Sequence, residues 1–510
     1  MKVSKQIYTG TRRALALVFF IGVTLLFLDF TGVAHAWLGW MARIQFLPAL
    51  LALNVVVILL LVFMTLLLGR VYCSVICPLG TMQDGISWLN GIRAKKRYRF
   101  SYSPEVKWLR YGVFTLFVIA IAAGIGSVVA LLAPYSSYGR IASNLFAPIY
   151  RWGNNLLAYI AERENSYAFY ETDVWIKSLP TFIIAVVTFV TLAILSWKNG
   201  RTYCNTICPV GTVLGLLSRF SLFRITIDES KCIECGLCSR RCKASCLNGK
   251  EHRVDYSRCV VCMDCISACT HGAISYRLRK PAGRKIAMDV KEAPDSPAAN
   301  DAISRRNFLS ATTALAVGAT LHAQEKIVDG GLAVIEDKKI PERKTPIVPP
   351  GAVSLRNMAT HCTGCQLCVS ACPNGVLRPS SRLETLMQPE VSYERGYCRP
   401  ECTRCSSVCP SGAILKISRA DKSSTQIGHA VWVRENCIVL SDGVECGNCA
   451  RHCPAGAILM IPSDPDNEKS PHIPMVNPER CIGCGACENL CPARPFSAIY
   501  VEGHERHRTI

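Results

Sequence analysis

The chain has 510 residues, enough for three or four domains, and half of its residues are hydrophobic. The apolar residues crowd into the first 200 positions, whereas 25 of the 29 cysteines lie after position 230. This length excludes a small disulfide-stapled secreted protein, and the cysteine spacing is typical of iron–sulfur proteins. The net charge of +20 suggests nucleic acid, but six clusters would cancel about 12 charges, so we expect no nucleic-acid role.

Four apolar runs in the first half are long enough to cross a bilayer, which needs about 20 apolar residues per helix. They extend over Ala14–Phe30, Phe46–Leu68, Tyr111–Ala133 and Pro180–Trp197. We therefore predict a mixed fold. A four-helix transmembrane domain occupies residues 1–222, and α+β bacterial-type ferredoxin domains that bind [4Fe–4S] clusters follow it.

Charged residues between the apolar runs predict how the helices are oriented. The segment Gly69–Arg110 has eight basic and two acidic residues, whereas Pro134–Leu179 has four of each. Basic loops stay in the cytoplasm, so the N-terminus, the second loop and the chain after the fourth helix are predicted to be cytoplasmic. We expect a multi-pass protein of the inner (cytoplasmic) membrane.

An internal repeat follows the second and fourth apolar runs. Gly69–Thr81 matches Gly200–Thr212 at nine of thirteen positions, and each copy contains Cys-x3-Cys-Pro. The prolines Pro78 and Pro209 suit the first position of a helix, whose N-terminus would favour a thiolate on the preceding cysteine. We predict that Cys73, Cys77, Cys204 and Cys208 are redox-active, either as dithiol pairs or as one shared metal or cluster site; inert structural thiols are the alternative.

Two blocks of Cys-x2-Cys-x2-Cys-x3-Cys lie in residues 223–280, between the predicted strands Phe223–Ile227 and Ala273–Tyr276. They are Cys232, Cys235, Cys238, Cys242 and Cys259, Cys262, Cys265, Cys269. In two-cluster ferredoxins, three cysteines of one block and the fourth of the other hold each cluster, so a cytoplasmic two-cluster domain is predicted. Either Cys242 or the additional Cys246 could be the fourth ligand.

Residues 281–350 are predicted to form a linker that contains an export signal. Ser304-Arg-Arg-Asn-Phe-Leu309 precedes a mildly apolar stretch, and together residues 304–323 resemble a twin-arginine signal. That route carries folded proteins, which suits a domain already loaded with clusters. A chance Arg-Arg pair is the alternative, in which case the downstream domain stays inside.

Four further blocks in residues 351–505 predict a periplasmic four-cluster domain. They are Cys362, Cys365, Cys368, Cys372; Cys398, Cys402, Cys405, Cys409; Cys437, Cys446, Cys449, Cys453; and Cys481, Cys484, Cys487, Cys491. The chain thus provides iron ligands for six [4Fe–4S] clusters. We expect the first block to exchange its fourth cysteine with the fourth block, and the second with the third.

On these motifs, residues 1–280 resemble the membrane quinol-dehydrogenase ferredoxin subunit of periplasmic nitrate reductase systems, the NapH type. Residues 304–500 resemble its exported four-cluster partner, the NapG/MauM type. The resemblance implies that electrons pass from the membrane quinone pool to a periplasmic cytochrome or terminal reductase. The alternatives are a maturation or copper-reducing protein that supports assembly of a partner enzyme, and a redox sensor. The residues do not place a quinol site, although Asp29, His35 and Asp84 could each accept a proton.

Overall fold

The structure is a computed structural model that describes residues 2–93, 100–279, 328–329, 333–334, 336–467 and 470–510. The chain divides into one unit made of Met1–Arg279 and Ile340–Ile510, and a second made of Lys280–Lys339. In the second unit, the short strands Val328–Asp329 and Ala333–Val334 pair antiparallel. The twin-arginine-like segment 304–323 lies outside the described residues, so its prediction stands as an expectation.

Helices make up most of the described part of residues 2–222. They are Lys2–Leu28, Val33–Leu38, Trp40–Arg43, Phe46–Leu51, Val55–Leu68, Val71–Val75, Pro78–Arg93, Lys107–Ala122, Gly126–Leu132, Pro134–Ile141, the π-helical Ala142–Phe146, Ala147–Arg163, Leu179–Asn199, Thr202–Thr206 and Pro209–Ser218. Two stretches, Ile7–Leu28 and Leu179–Asn199, are long and apolar enough to cross a membrane. Val55–Leu68 and Pro209–Ser218 are apolar but shorter.

The second and third predicted apolar helices are each broken in the structure. The run from Phe46 to Leu68 divides into Phe46–Leu51 and Val55–Leu68, and Leu53 between them has a left-handed φ of 50°. The amide of Phe46 donates to the Tyr72 hydroxyl (3.1 Å), so the start of the first helix lies near the end of the second, and the chain reverses between them. The apolar residues predicted a single helix here, but they did not predict that the chain reverses within it.

The third apolar run breaks in the same way. It divides into Lys107–Ala122 and Gly126–Leu132, with a left-handed φ of 71° at Gly124. Glycine has no Cβ to oppose this conformation, so it suits the break. The loop predicted to follow, Pro134–Leu179, is instead helical as far as Arg163.

Residues 223–279 form a small ferredoxin-like α+β domain. The strand Phe223–Ile227 pairs antiparallel with Ile274–Leu278, as the predicted strands required, and Leu247–Asn248 pairs with Arg253–Val254. The helices are Leu237–Arg241 and Asp264–Ala268, with a 3-10 turn at Glu229–Lys231.

The C-terminal domain contains three antiparallel strand pairs among its described residues. They are Leu377–Pro379 with Pro389–Val391, Thr425–Trp432 with Ile499–Thr509, and Ile458–Pro462 with His472–Val476. The helices are Leu355–His361, Leu367–Ala371, Arg404–Val408, Arg419–Ser424, the 3-10 turn Arg434–Asn436, Ile438–Ser441, Asn448–Arg451 and Ala486–Leu490.

This domain begins earlier and ends later than the predicted 351–505. Arg343 donates to the carbonyl oxygen of Val501 (2.8 Å) and pairs with Glu488 (2.5 Å), and Ile347 is buried. The last strand continues to Thr509. The sequence predicts a linker around position 343. The burial of this segment depends on contacts with the distant C-terminal strand, which the local sequence does not reveal.

The two cysteine-rich parts of the larger unit contact the helix Lys2–Leu28 at different levels. Arg13, near its middle, pairs with Asp264 of the N-terminal ferredoxin domain (2.9 Å). Beyond its end, the carbonyl oxygen of Thr31 accepts a hydrogen bond from Arg404 of the C-terminal domain (2.9 Å). The 15 residues from Arg13 to Leu28 span about 22 Å of helix, so these two contacts are well separated along its axis.

Candidate iron–sulfur centres

The first cysteine-lined pocket of the N-terminal ferredoxin domain contains both candidates for the fourth ligand. It is lined by Cys242, Cys246, Cys259, Cys262 and Cys265. The Sγ atoms of Cys242 and Cys246 lie 3.6 Å apart. Cys242 lies close enough to the three cysteines of the second block to interact electrostatically with each, whereas Cys246 contacts Cys242 and Cys259. Cys242 therefore faces more of the pocket than Cys246 does.

The second pocket of this domain shows the crossover of the last ligand. It is lined by Cys232, Cys235, Cys238 and Cys269. Three cysteines of the first block thus meet the fourth cysteine of the second block, as the ferredoxin pattern predicts.

In the C-terminal domain, the first two blocks exchange their fourth cysteines. One pocket is lined by Cys362, Cys365, Cys368 and Cys409. The complementary set comprises Cys398, Cys402, Cys405 and Cys372, whose thiols interact electrostatically with one another.

The third and fourth blocks exchange in the same way. One set joins Cys437, Cys446 and Cys449 to Cys491, and the other joins Cys481, Cys484 and Cys487 to Cys453. The prediction that the first block pairs with the fourth, and the second with the third, is therefore wrong. Consecutive blocks pair, because closing the shorter intervening loop costs less conformational entropy.

The two halves of the C-terminal domain meet at a direct contact between cysteine sets. The amide of Cys398 donates to the carbonyl oxygen of Cys484 (2.9 Å). Burial, together with the nearby thiols of Cys481, Cys453 and Cys398, raises the pKa of Cys484 to about 12. Such a thiol loses its proton at neutral pH only when a metal takes its place, so loading this set releases protons.

The loops around four of the sets have a shared backbone conformation. The second and fourth residues after the first cysteine have positive φ angles between 51° and 78°; these are Glu234 and Gly236, Val261 and Met263, Gly364 and Gln366, and Gly483 and Gly485. Alternating right- and left-handed residues turn successive N–H groups toward one side, where they favour an anion. Four of these residues are not glycine, and that strain is typical of functional loops. The loops therefore fit thiolate-ligated clusters, each of which supplies a one-electron redox centre when bound.

The two Cys-x3-Cys-Pro motifs meet inside the helical domain. Cys73, Cys77, Cys204 and Cys208 are all buried, and the thiol of Cys208 interacts electrostatically with the other three. Among the described residues, no three His, Cys, Asp or Glu side chains are close enough to hold a single metal ion. The cysteines of the ferredoxin domains are likewise too far apart to bind a single ion, as expected when each ligand binds a different iron atom of one cluster.

Pro78 and Pro209 begin the helices Pro78–Arg93 and Pro209–Ser218, as predicted. Burial opposes the thiolate expected at the preceding cysteine. Burial, with the charges of Cys204 and Cys73, raises the pKa of Cys77 to about 12 despite the hydrogen bond from the amide of Gly80. Desolvation exceeds the helix-terminus effect at this site.

Two fully buried arginines connect the repeats reciprocally. Arg70 donates to the carbonyl oxygen of Cys204 (3.2 Å), and Arg201 donates to that of Cys73 (2.5 Å). Arg70 also lies 3.7 Å from the Cys73 sulfur. This symmetry was not predicted, although both arginines stand at the same position of the repeat.

The two arginines differ in their counter-charges. Arg201 pairs with Asp84 (2.9 Å), whereas the described hydrogen-bond partners of Arg70 are Asn205, Ser257 and the cysteines, with no carboxylate among them. A buried cation needs an anionic partner. The four-cysteine set therefore fits a state in which its sulfurs carry negative charge, as iron-bound thiolates do.

Asp84 is engaged in a buried ion-pair network. It contacts Arg201 (2.9 Å), Arg12 (3.4 Å) and Lys243 (3.6 Å). Burial alone would raise the pKa of the Asp84 carboxyl, but Arg201 and Lys243 hold that pKa well below its usual range. Asp84 therefore fastens the helices to the ferredoxin domain and is a poor proton acceptor.

The four-cysteine set lies closer to the C-terminal domain than the sequence suggested. Tyr72 lies near Cys77, Cys73 and Cys208, and Tyr135 lies near both Tyr72 and Cys365. The broken helices bring Tyr72, Tyr135 and Cys365 together in one core.

Comparison with known proteins is consistent with these centres. A family model described as a 4Fe-4S binding domain matches residues 50–97 and 180–227, which contain the two Cys-x3-Cys-Pro motifs. A second, described as a 4Fe-4S dicluster domain, matches residues 361–413 and 444–494. The ferredoxin-type protein NapF of Escherichia coli is 30% identical over 160 residues, covering 31% of this chain and 87% of NapF. The chain belongs to the ferredoxin-type iron–sulfur proteins.

Other relatives match a larger share of this chain at lower identity. The putative electron transport protein YccM of Escherichia coli is 24% identical over 252 residues, which cover 48% of this chain and 60% of YccM. The ferredoxin-type protein NapH of Haemophilus influenzae is 26% identical over 229 residues, which cover 42% of this chain and 65% of NapH. The chain thus spans less than two thirds of either relative. No solved structure matches it.

Proposed function

We propose that this ferredoxin-type protein carries electrons from quinol in the membrane to a periplasmic cytochrome or reductase. The observation that carries the proposal is the serial arrangement of its cysteine sets. They extend from the N-terminal ferredoxin domain, past the four buried cysteines of the helical domain, to the C-terminal domain. Described residues connect the four buried cysteines to the ferredoxin domains on either side, and a hydrogen bond connects the two halves of the C-terminal domain.

The contacts follow one order through the molecule. The pocket of the second N-terminal block adjoins the helices where Val261 contacts Gly69. Tyr72 and Tyr135 lie between the four-cysteine set and Cys365. The hydrogen bond from Cys398 to Cys484 then joins the two halves of the C-terminal domain. Substrate chemistry beyond electron transfer is not required by this arrangement.

A membrane location is part of the proposal. Two helices are long and apolar enough to cross a bilayer, and two shorter apolar segments accompany them. The N-terminal ferredoxin domain contacts the basic segment Gly69–Arg110, where Arg258 donates to the carbonyl oxygen of Ser103 (2.8 Å), and the C-terminal domain contacts the chain just past the end of the first long helix. With basic loops inside, the first domain is cytoplasmic and the second periplasmic. The twin-arginine-like segment would then direct the second domain outward.

The Cys-x3-Cys-Pro cysteines serve in this proposal as a relay inside the helical domain. Three observations support this role. The four thiols lie close together, the buried Arg70 has no carboxylate among its described partners, and the motifs match a 4Fe-4S domain model. A metal or cluster there would be a seventh centre. The resemblance to the NapH and NapG types extends the proposal to a nitrate-reductase-like respiratory chain.

The first test is a topology map of the full chain. Reporters fused after Tyr276 and after Ile499 are expected to report cytoplasmic and periplasmic locations, respectively. Cytoplasmic readings at both positions would refute the transmembrane route.

The second test is anaerobic reduction of the purified protein by a short-chain quinol. Iron analysis should give about 24 iron atoms or more per chain, as six [4Fe–4S] clusters require. Quinol should then reduce the same clusters that dithionite reduces. A protein that dithionite reduces but quinol does not would contradict the proposed donor. Loss of only newly made partner enzyme in a deletion strain would favour a maturation role instead.

A further inference from the structure

A cavity of about 660 Å³ lies between the end of the first long helix and the C-terminal domain. Its wall on the helical side is formed by residues 29–43, which include Asp29, His35 and Trp37. Its wall on the other side includes Leu367, Arg404 and Val408. Cavities of this size hold small organic ligands in proteins.

Asp29 and His35 form a buried pair at this cavity. The ring nitrogen Nδ1 of His35 lies 3.0 Å from the Asp29 carboxylate, and the side chains are 10% and 5% exposed. Asp29 also accepts hydrogen bonds from the amides of Gly32 (2.7 Å), Thr31 (2.9 Å) and His35 (3.1 Å). An ionised carboxylate only accepts hydrogen bonds, so the Nδ1 atom of His35 carries the hydrogen.

The other ring nitrogen of His35 is therefore a hydrogen-bond acceptor. Its Nε2 atom is buried and has no hydrogen-bond partner. Buried polar atoms are almost always paired, so an unpaired acceptor beside a large cavity indicates a ligand that donates a hydrogen bond. A carboxylate behind the ring also stabilises the imidazolium that forms when Nε2 takes a proton.

The cavity adjoins a cysteine set directly. Leu367 lines both this cavity and the pocket of Cys362, Cys365, Cys368 and Cys409. Val408, on the same wall, immediately precedes Cys409. A ligand in the cavity is thus separated from that set by one layer of side chains.

The cavity is also placed for entry from a lipid phase. Trp37, which lines it, is 79% exposed, and the nearby Val33 and Trp40 are 64% and 50% exposed. Exposed tryptophans next to the end of an apolar helix are typical of the membrane interface. Arg43 and Arg404 also line the cavity and are held by carbonyl oxygens of Ser407 and Thr31.

We propose that this cavity is the quinol-oxidation site, with His35 Nε2 accepting a hydroxyl proton; the inference rests on the proposed electron-transfer function. The quinol loses two electrons and two protons to become quinone. One O–H bond breaks as its proton passes to Nε2, and Asp29 stabilises the charged ring. Oxidised clusters held by the set containing Cys365 would accept the two electrons one at a time, and this set adjoins both the set containing Cys398 and, past Tyr135 and Tyr72, the four buried cysteines of the helical domain. The second proton leaves to water.

The test uses the full-length protein in lipid nanodiscs under anaerobic conditions. Binding is measured by quenching of the fluorescent quinol analogue 2-heptyl-4-hydroxyquinoline N-oxide, and electron entry by the rate at which decylubiquinol bleaches the clusters. His35→Gln should weaken analogue binding about tenfold and slow quinol reduction about 100-fold. Its reduction by dithionite and its iron content should be unchanged.

Two further variants complete the design. Ala36→Trp should fill the cavity and abolish analogue binding, whereas His472→Gln, at an exposed strand position, should behave as the parent does. Parent-like binding and reduction rates in both His35→Gln and Ala36→Trp would overturn the site while leaving quinol as the donor. A parent protein that quinol fails to reduce would overturn the proposed function itself.

Discussion

Gly139 lies directly against the carbonyl oxygen of Cys365: a Cβ atom added to Gly139 would come within 2.3 Å of that oxygen. The same atom would approach the ring of Phe27 to 2.9 Å. The contact places the helix Pro134–Ile141 against a ligand of the first C-terminal set. It is one of the closest approaches between the helical domain and the C-terminal domain.

Replacing this glycine should separate the two domains. We expect Gly139→Val to destabilise the contact by about 1–3 kcal/mol, because the oxygen of Cys365 belongs to the backbone and cannot rotate away. Limited proteolysis of the C-terminal domain should accelerate, and quinol-driven reduction of its clusters should slow. Gly153→Val is the matched control, since nothing lies within 4 Å of a Cβ atom there. Equal behaviour of the two variants would contradict the contact.

The buried charge of Arg70 should tune the four-cysteine centre. Arg70→Gln removes a cation 3.7 Å from the Cys73 sulfur, which destabilises the reduced, more negative state. We expect the reduction potential of this centre to fall by about 100 mV in an EPR-monitored titration. Arg70→Lys, which keeps the charge, should shift the potential less. A spectrum with no signal beyond the six ferredoxin clusters would contradict a cluster at these cysteines.

The two candidate fourth ligands of the N-terminal pocket can be separated by serine substitution. Cys242→Ser should disturb the EPR spectrum of one cluster and lower the iron content, because Cys242 faces all three cysteines of the second block. Cys246→Ser should leave both near the parent values, because the thiol of Cys246 hydrogen-bonds to those of Cys242 and Cys259 and would act as a neighbour of the ligands. The reverse result would assign the ligand to Cys246.

His507 should make the C-terminal domain less stable in acid. Burial, and the nearby His504, lower the pKa of His507 to about 4, whereas in the unfolded chain it is about 6.5. Between these values the unfolded state binds more protons, so the free energy of unfolding falls as the pH falls from about 6.5 to about 4. His507→Gln should remove this part of the decline. When the pH is lowered to 5, the melting temperature of this variant should therefore fall about 2–4 °C less than that of the parent.

The control for this prediction is His472→Gln, at an exposed position of the strand His472–Val476. This substitution should leave the pH dependence of the melting temperature unchanged. The same depression at pH 5 in the parent and in His507→Gln would show that His507 does not contribute.

The sequence by itself determined the chemistry of this protein. Six cysteine blocks, the Cys-x3-Cys-Pro repeat and the strands around the first ferredoxin domain are local patterns, set by residue type and spacing. The crossover of Cys269 and the helix starts at Pro78 and Pro209 followed from the same patterns. Such features need no knowledge of distant contacts.

Only the tertiary structure decided which sets are neighbours. The pairing of Cys372 with the second block, the reversal after Leu51 and the approach of Tyr135 to Cys365 all depend on contacts between residues far apart in the chain. The cavity beside the unpaired Nε2 atom of His35 likewise forms only where Leu367 and Arg404 of the C-terminal domain lie against residues 29–43. Apolar periodicity and cysteine spacing specify what each segment binds or buries, but the geometry between segments is set by packing, which has no local signature.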